Sequence, residues 1–439
     1  MARRSLESLR PSGALWRHGD FLKLWTGQTV SEFGSQVTLL ALPYAAAKLL
    51  RASAFAVALL LVFEQLPFLL FALPAGVWID RVRRRPLLIA GDLGRALALA
   101  SIPVAYAVGV LRIWQLFVVA FAAGVLTVFF DVAYQSYLPS LVGREHLVEA
   151  NAKLQATAAP SQSGGPAVGG AVIGAVGAPY AILIDIASFL ASAAFVLRIR
   201  GREETIRRSP VAERSMRTDL LEGLRHVLAN RLLRAIAATT AARNFSAAVG
   251  YAILIVYAVR SLHLSAALIG VIFACANVGF VCGALTARRT AELLGIGRAI
   301  VYSAAVVGSS VILIPLSPRS FPIPLIVVGL MLYSYGGVVF NITQVSLRQA
   351  MTPDRLQGRM NSVMRFILWG AIPLGALLGG GLATAIGLRA ALFVSGGGVA
   401  VSWLPVFFSP VRRLTAVPAM PEVAVEDEAA LPAVTGVDA

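Results

Sequence analysis

Ionisable side chains stand inside several long apolar segments of this sequence, where a charge costs about 2.5–3.5 kcal/mol even on scales from insertion experiments. Glu32, Glu64 and Arg243 each lie roughly ten residues from the start of their segment. In a helix that crosses a bilayer this depth is the midplane, where desolvation favours the protonated carboxyl group and permits reversible proton binding. We predict that Glu32, Glu64, Arg243 and the neighbouring Asn244 handle substrate or protons.

Three further charges occupy apolar segments. Asp185 lies in the first third of its segment and is another candidate for substrate or proton handling. Asp92 and Arg95 are three residues apart on one face of a helix, so we predict that they neutralise each other. For the candidates, the alternative is a structural role as a partner of a neighbouring helix.

Twelve apolar segments have to position these residues. Of the 439 residues, 58% are hydrophobic and 14% are charged, whereas an ordinary soluble domain has about 25% charged residues. Each segment can cross a hydrocarbon core about 30 Å thick. The composition excludes a soluble globule, a disordered chain and a coiled coil. It predicts an all-α membrane protein with twelve transmembrane helices at about 22–47, 54–79, 86–110, 113–138, 152–176, 179–198, 232–259, 266–287, 297–316, 322–345, 362–386 and 389–408.

The segments divide into two halves of six. We predict a cytoplasmic N-terminal segment (1–20), an N-terminal half (21–199), a charged linker with a short surface helix (200–231), a C-terminal half (232–410) and a disordered cytoplasmic tail (411–439). A shift of 210 residues superposes identical residues of the two halves: Asn151 on Asn361, Gly165 on Gly375, Gly169 on Gly379, Gly170 on Gly380 and Gly177 on Gly387. This repeat predicts a parallel pseudo-two-fold axis along the membrane normal, with a site between the halves.

The positive charges predict the orientation. With both termini inside, cytoplasmic segments hold 30 of the 38 Lys and Arg residues and external loops hold 6, the excess that is typical of cytoplasmic loops. We predict a multi-pass protein in the inner or plasma membrane of a bacterium. The net charge of +16 does not indicate nucleic-acid binding, because the basic residues form short runs between apolar segments without interleaved aromatics.

The loop after the second segment carries the most specific motif, Gly76-Val-Trp-Ile-Asp80-Arg81-Val-Arg83-Arg84-Arg85. It resembles the Gly-x-x-x-Asp-Arg/Lys-x-Gly-Arg-Arg/Lys loop of the major facilitator superfamily, with arginine at position 83 in place of the glycine. The resemblance implies a gate in which Asp80 faces the positive end of the eleventh helix and Arg84 pairs with Asp131. The alternative is a basic loop that serves topology only. The implied gating residues are Gly76, Asp80, Arg81, Arg84, Arg85 and Asp131.

A second motif, Gly165-Pro166-Ala-Val-Gly169-Gly170, lies in the fifth segment. It resembles the core of a motif found in proton-coupled antiporters of the same superfamily, where small residues permit close helix packing and proline permits a kink. The alternative is ordinary small-residue packing. Loops at 138–151 and 352–361 resemble those of bacterial twelve-helix drug exporters akin to the macrolide and enterobactin exporters. The resemblance covers residues from about 20 to about 410.

The resemblance implies a secondary transporter that exports a small amphipathic compound, a drug-like molecule or a secondary metabolite, in exchange for protons. We expect a monomer in the lipid bilayer that binds its substrate and protons, uses no metal or other cofactor, binds no nucleic acid and is not an enzyme. The sequence shows no P-loop signature for ATP as a fuel. Two alternatives are an uptake symporter of the same fold and a non-transporting membrane sensor or assembly protein.

Overall fold

The computed structural model describes residues 14–79, 82–143, 146–201, 216–318 and 320–416, and within these ranges the regular structure is helical, without a strand. The N-terminal half has six long helices: α1 (Gly19–Tyr44), α2 (Ala54–Ile79), α3 (Arg84–Ala107), α4 (Ile113–Val142), α5 (Leu147–Val176) and α6 (Ala178–Leu197). A π-helical turn, Ala45–Leu49, continues α1.

A short helix, α7 (Met216–Ala229), precedes the C-terminal half. Six further helices follow: α8 (Arg231–Arg260), α9 (Ala266–Leu294), α10 (Ile296–Ser310), α11 (Ile323–Met351), α12 (Asp354–Ala385) and α13 (Leu388–Val401). Short turns, Leu313–Leu316 and Leu404–Phe407, extend α10 and α13. The fold prediction of twelve membrane helices in two halves is confirmed. The domain boundaries drawn from the sequence stay a prediction.

Two of the twelve long helices are more polar than the others. In the described part of the chain, ten helices are long and apolar enough to cross a membrane by composition alone, and α1 and α5 are not among them. Both have 26 residues or more, which is sufficient to cross a bilayer. Helix α5 packs against α1 and α9, and α1 also packs against α6. Because these two helices are flanked by protein, polar side chains on them need not face lipid.

Equivalent glycines confirm that the halves repeat. Gly177 and Gly387 precede α6 and α13 with φ of +86° and +87°, a conformation that favours glycine. Gly170 on α5 lies against the backbone of α9, and Gly380 on α12 lies against Phe55 on α2. Gly170 and Gly380 therefore contact the opposite half at pseudo-equivalent helix crossings.

The halves are joined at one end of the bundle. We call the terminal side the end that carries the turn Ala14–Arg17, helix α7 and the turn Pro410–Arg413, and the loop side the opposite end, where α1 leads into α2. On the loop side one apolar cluster combines residues of both halves, such as Leu40 and Tyr257. On the terminal side the described residues form separate clusters in the N-terminal half and in the C-terminal half. The loop side is therefore closed.

Hydrogen bonds tie α1 to the end of α6 on the terminal side. Asp20 accepts from the backbone amides of Arg200 (3.2 Å) and Gly201 (2.8 Å), and Lys23 donates to Asp20 (2.6 Å) and to the carbonyl oxygen of Arg198 (2.9 Å). Burial alone would raise the pKa of Asp20, but these hydrogen bonds and the Lys23 charge outweigh it and hold the pKa below its usual value. These hydrogen bonds therefore hold the backbone that follows α6 against the start of α1.

An arginine at the end of α8 joins the two halves by hydrogen bonds on the loop side. The guanidinium of Arg260 donates hydrogen bonds to the carbonyl oxygens of Ala47 (3.1 Å) and Ala52 (2.5 Å) in the N-terminal half. Hydrogen bonds from a charged donor contribute about 1.5–3 kcal/mol. Because they form only while the two halves are in contact here, they stabilise the closed loop side.

We expect Arg260→Ala to increase the population that is open on the loop side. Spin labels on the loop-side ends of the two halves would report this as a longer distance in double electron–electron resonance. Arg112→Ala is the matched control, because Arg112 is exposed on the same side. An unchanged distance distribution in Arg260→Ala would show that the closure does not depend on these hydrogen bonds.

Candidate functional site

A cavity of ≈ 350 Å³ lies between the two halves. Its wall is formed mainly by α1, α2, α4 and α6, and the C-terminal half contributes Tyr251, Ala252, Ile255 and Trp369. A second cavity of ≈ 250 Å³ lies deeper in the C-terminal half. Leu61, Gln65 and Tyr251 line both cavities. The two spaces therefore adjoin and form a single central region with largely apolar walls.

Four carboxyl groups and one guanidinium line the larger cavity: Glu32, Glu64, Asp131, Asp185 and Arg95. They come from α1, α2, α4, α6 and α3. The sequence singled out Glu32, Glu64 and Asp185 as candidates for substrate or proton handling, and the structure brings these three together. Their role stays a prediction.

Arg95 on α3 contacts two aromatic rings and an aspartate inside the N-terminal half. Its guanidinium lies 4.3 Å from the ring centre of Phe130 and 4.2 Å from that of Phe189, and Nη2 is 2.5 Å from Asp92 Oδ1. Both members of this ion pair are buried. The structure thus contains the predicted Asp92–Arg95 pair. The sequence did not predict that Arg95 would also face the cavity.

Asp185 and Asp131 share the environment of Arg95. Asp185 Oδ1 is 3.3 Å from the hydroxyl of Ser35 and 3.1 Å from that of Ser188. Arg95 lies within electrostatic range of both Asp131 and Asp185. A nearby guanidinium favours the ionised form of a carboxyl group. The Arg95 guanidinium therefore offsets part of the desolvation cost of ionising these two acids.

Glu32 belongs to a polar chain that crosses between the halves. Its carboxyl group is in hydrogen-bonding range of the side chain of Gln162 on α5. The backbone carbonyl oxygen of Gln162 accepts a 2.7 Å hydrogen bond from Asn277 on α9. A change at Glu32 can therefore reach the contact between the two halves.

Of the four acids, Glu64 has the fewest groups nearby that would stabilise an ionised carboxylate. It lines the cavity beside Tyr251 of the opposite half and is half-buried. Among the described residues, no ion pair involves Glu64 and no hydrogen bond to its carboxyl group is present. An ionised carboxylate here has little to offset its desolvation.

Arg243 lies just behind the wall of the deeper cavity. Its guanidinium is 4.9 Å from the ring centre of Phe340 and donates a 3.4 Å hydrogen bond to Asn244, which lines that cavity with Tyr333. Its Nε and Nη1 atoms are buried without a hydrogen-bond partner in the described part of the chain, as is Nδ2 of Asn244. These groups supply unmet donors beside the cavity.

The predicted gate is described only in part. Asp80 and Arg81 lie outside the described residues. Arg85 donates hydrogen bonds to the carbonyl oxygens of Val196 (3.2 Å) and Leu197 (2.7 Å), which caps the end of α6. Gly76 has open space where a Cβ atom would lie.

Asp131 lines the central cavity. The ion pairs among described residues do not include one between Arg84 and Asp131. Asp131 lies near the middle of α4 and faces the acidic cavity with Glu32. The gating role of this group stays a prediction.

The glycine motif of α5 packs against two helices at once. A Cβ atom on Gly165 would lie 2.5 Å from Gln36 Cβ, and one on Gly169 would lie 3.1 Å from Val37 Cα, both on α1. On its other face, Gly170 and the carbonyl oxygen of Pro166 contact Gly270 on α9. The motif therefore holds α5 between its own half and the opposite half.

Two features of the cavity were not predicted from the sequence, an aromatic contact between the halves and a row of polar side chains on α1. Phe68 on α2 stacks on Trp369 of α12, with ring centres 4.8 Å apart and planes at 10°, and both rings line the cavity. Gln28 and Gln36 line it on either side of Glu32. Their spacing of four residues marks one helix face, so that stripe could have been read from the sequence.

We expect Arg95→Gln to destabilise the N-terminal half, because it leaves Asp92 buried without its cation. Removal of one member of a buried pair costs about 3–5 kcal/mol. The change would be measured as a lower unfolding temperature of the purified protein. The double variant Asp92→Asn/Arg95→Gln should recover much of the loss. Equal loss in the single and double variants would show that packing of Arg95 against Phe130 and Phe189, and not charge compensation, is its contribution.

Comparison with known proteins places the chain among membrane transporters. The profile described as "Transmembrane secretion effector", of the major facilitator type, matches residues 12–432. The multidrug efflux pump Tap of Mycolicibacterium fortuitum is 26% identical over 386 residues, which are 85% of this chain and 91% of that protein. The enterobactin exporter EntS of Salmonella typhi is 28% identical over 341 residues, which are 74% of this chain and 77% of that protein.

Solved transporters have the same fold. A bacterial homologue of the iron transporter ferroportin in the inward-facing state matches with a TM-score of 0.68 at 17% identity, over 90% of this chain and 99% of that one. An outward-facing structure with the same description matches with a TM-score of 0.55.

Proposed function

Because the chain belongs to the transmembrane secretion effector family of the major facilitator superfamily, we propose that it exports a small amphipathic compound in exchange for protons. The observation that carries the proposal is the central cavity, where apolar walls surround four carboxyl groups between two halves. Apolar walls suit the lipophilic part of such a compound. Carboxyl groups at the depth of the midplane suit reversible protonation.

The direction of transport is supported by relatives and by charge. Two relatives that match most of the chain are named as exporters, the Tap efflux pump and the enterobactin exporter. The bias of Lys and Arg toward the terminal side favours placing that side in the cytoplasm. The cavity would then accept compounds from the cytoplasm while the loop side is closed. The antiporter-like glycine motif of α5 favours the same direction.

Alternating access supplies the mechanism. The compound binds in the cavity while the loop side is closed, and separation of α5 from α9 and of α2 from α12 would open that side. Asp80 and Arg84 would then hold the terminal side closed, as the resemblance implies. Protonation of a carboxyl group after release would favour the return. The unmet donors of Arg243 and Asn244 would bind acceptor groups of the compound.

Transport into inverted membrane vesicles tests the proposal. A panel of lipophilic compounds is screened under an imposed pH gradient, and accumulation inside these vesicles is the expected result. A protonophore should abolish it. Accumulation that resists the protonophore but requires sodium would overturn proton coupling. Gradient-stimulated accumulation in intact cells would overturn the direction and favour the uptake symporter.

A further inference from the structure

Four arginines surround a pocket of ≈ 600 Å³ on the terminal side, outside the central cavity: Arg231, Arg234, Arg412 and Arg413. All four are exposed. Arg231 and Arg234 occupy the first turn of α8, and Arg412 and Arg413 occupy the turn Pro410–Arg413. The pocket thus presents two pairs of guanidinium groups from segments far apart in the sequence.

The second pair is held in a fixed position. The hydroxyl of Ser409 accepts a 3.2 Å hydrogen bond from the backbone amide of Val411, and Val411 is fully buried in an apolar cluster. The amide of Gly297 donates a 3.0 Å hydrogen bond to the carbonyl oxygen of Leu414. The turn that carries Arg412 and Arg413 is therefore packed onto the start of α10.

These arginines differ from other cations on the terminal side. Arg288 pairs with Glu292, and Arg359 pairs with Glu222. In the described part of the chain, none of the four pocket arginines has a carboxylate within 4 Å. Arg234 donates to the carbonyl oxygen of Leu228 (3.1 Å) and Arg412 lies 5.2 Å from the ring centre of Phe407, and neither contact brings a negative charge to the guanidinium.

The pocket also has an apolar surface at the membrane boundary. Ala235, Ala238, Pro405 and Phe408 also line it, and Phe408 is 76% exposed. Trp403, Phe407 and Phe408 form a chain of edge-to-face contacts where the last membrane helix ends. Aromatic belts of this kind lie at the level of lipid headgroups. Positive charge and apolar surface therefore meet where a lipid would place its phosphate and its acyl chains.

We propose that this pocket binds an anionic phospholipid with two phosphate groups, of the cardiolipin type. Each pair of arginines faces one phosphate, and the acyl chains lie along Ala238 and Phe408. Guanidinium groups match phosphate oxygens in geometry and charge. Basic pockets between membrane helices bind such headgroups. The positive end of the α8 dipole adds to the attraction.

The test counts lipids bound to the purified full-length protein by native mass spectrometry. Cardiolipin adducts should fall about tenfold in Arg231→Gln/Arg234→Gln and in Arg412→Gln/Arg413→Gln. Arg288→Gln/Arg289→Gln removes the same charge from exposed positions at the end of α9 and should change little. Phosphatidylcholine adducts should be equal in all variants. Unfolding temperatures without added lipid show that each variant is folded.

Other outcomes overturn the proposal. Equal loss of cardiolipin in the α9 control would mean that total charge alone attracts lipid. Displacement of cardiolipin by millimolar inorganic phosphate would mean that the pocket holds free anions. The tail carries Glu422, Glu426, Asp427 and Glu428. If cardiolipin binds only after these four residues are replaced by neutral ones, the acidic tail occupies the pocket in the unsubstituted protein. These measurements need no transport, so their result is independent of the proposed export.

Discussion

We expect Glu64→Gln to abolish gradient-driven export, a loss of at least about tenfold, while substrate binding persists. Glu64 is half-buried beside the cavity and has no ion pair among the described residues. Desolvation favours its neutral form, and opening of the cavity to water would favour ionisation. Asp131 and Asp185 lie near Arg95, which stabilises their charged forms. Of the four acids, Glu64 is therefore best placed to gain and lose a proton during the cycle.

The assay compares two modes of transport in reconstituted vesicles. Export driven by a pH gradient should be lost in Glu64→Gln, whereas substrate counterflow, which moves no net proton, should remain. Gln65→Ala is the matched control because Gln65 lines the same cavity. Glu32→Gln is measured in parallel. If Glu64→Gln remains coupled and Glu32→Gln does not, Glu32 carries the proton. If both stay coupled, Asp131 and Asp185 become the next candidates.

Gly170→Ala and Gly380→Ala should each reduce transport at least about tenfold by preventing closure of the loop side. A Cβ atom on Gly170 would meet the carbonyl oxygen of Ala266 and lie 3.0 Å from Gly270 Cα. One on Gly380 would lie 2.8 Å from Ala58 Cβ and 2.9 Å from Phe55 Cα. Backbone atoms cannot turn aside as a long side chain can, so the two helices must separate at each crossing.

The same helices provide matched controls. Gly174→Ala places its Cβ atom 3.9 Å from Ala267 Cβ, and Gly381→Ala meets no atom within 4 Å. In a helix, Gly→Ala is intrinsically stabilising by about 0.5–1 kcal/mol. Reduced transport in Gly170→Ala or Gly380→Ala would therefore not arise from a weaker helix. Single cysteines introduced into the loops of the loop side should react faster with a water-soluble thiol reagent in these two variants. Equal activity in all four variants would contradict a tight crossing.

The gate motif and the glycine motif of α5 show what a sequence pattern leaves open about the surroundings of a residue. Gly76 and Gly170 both belong to motifs with recognisable spacing, yet Gly76 faces open space while Gly170 contacts α9. The gating role that the resemblance implies for Asp131 stays a prediction, and Asp131 also lines the acidic cavity. A motif fixes which residues follow one another along a helix. It does not fix the rotation of that helix about its axis.

The sequence by itself determined the number of membrane helices, their division into halves and the polar residues within them, because crossing a bilayer depends on local length and hydrophobicity. The repeated glycines also identified equivalent positions without a structure. Only the tertiary structure decided that acids from four helices line one cavity with Arg95, that Phe68 meets Trp369 across the halves, and that the loop side is closed. These features depend on how distant helices pack and rotate against one another, which interhelical contacts alone decide.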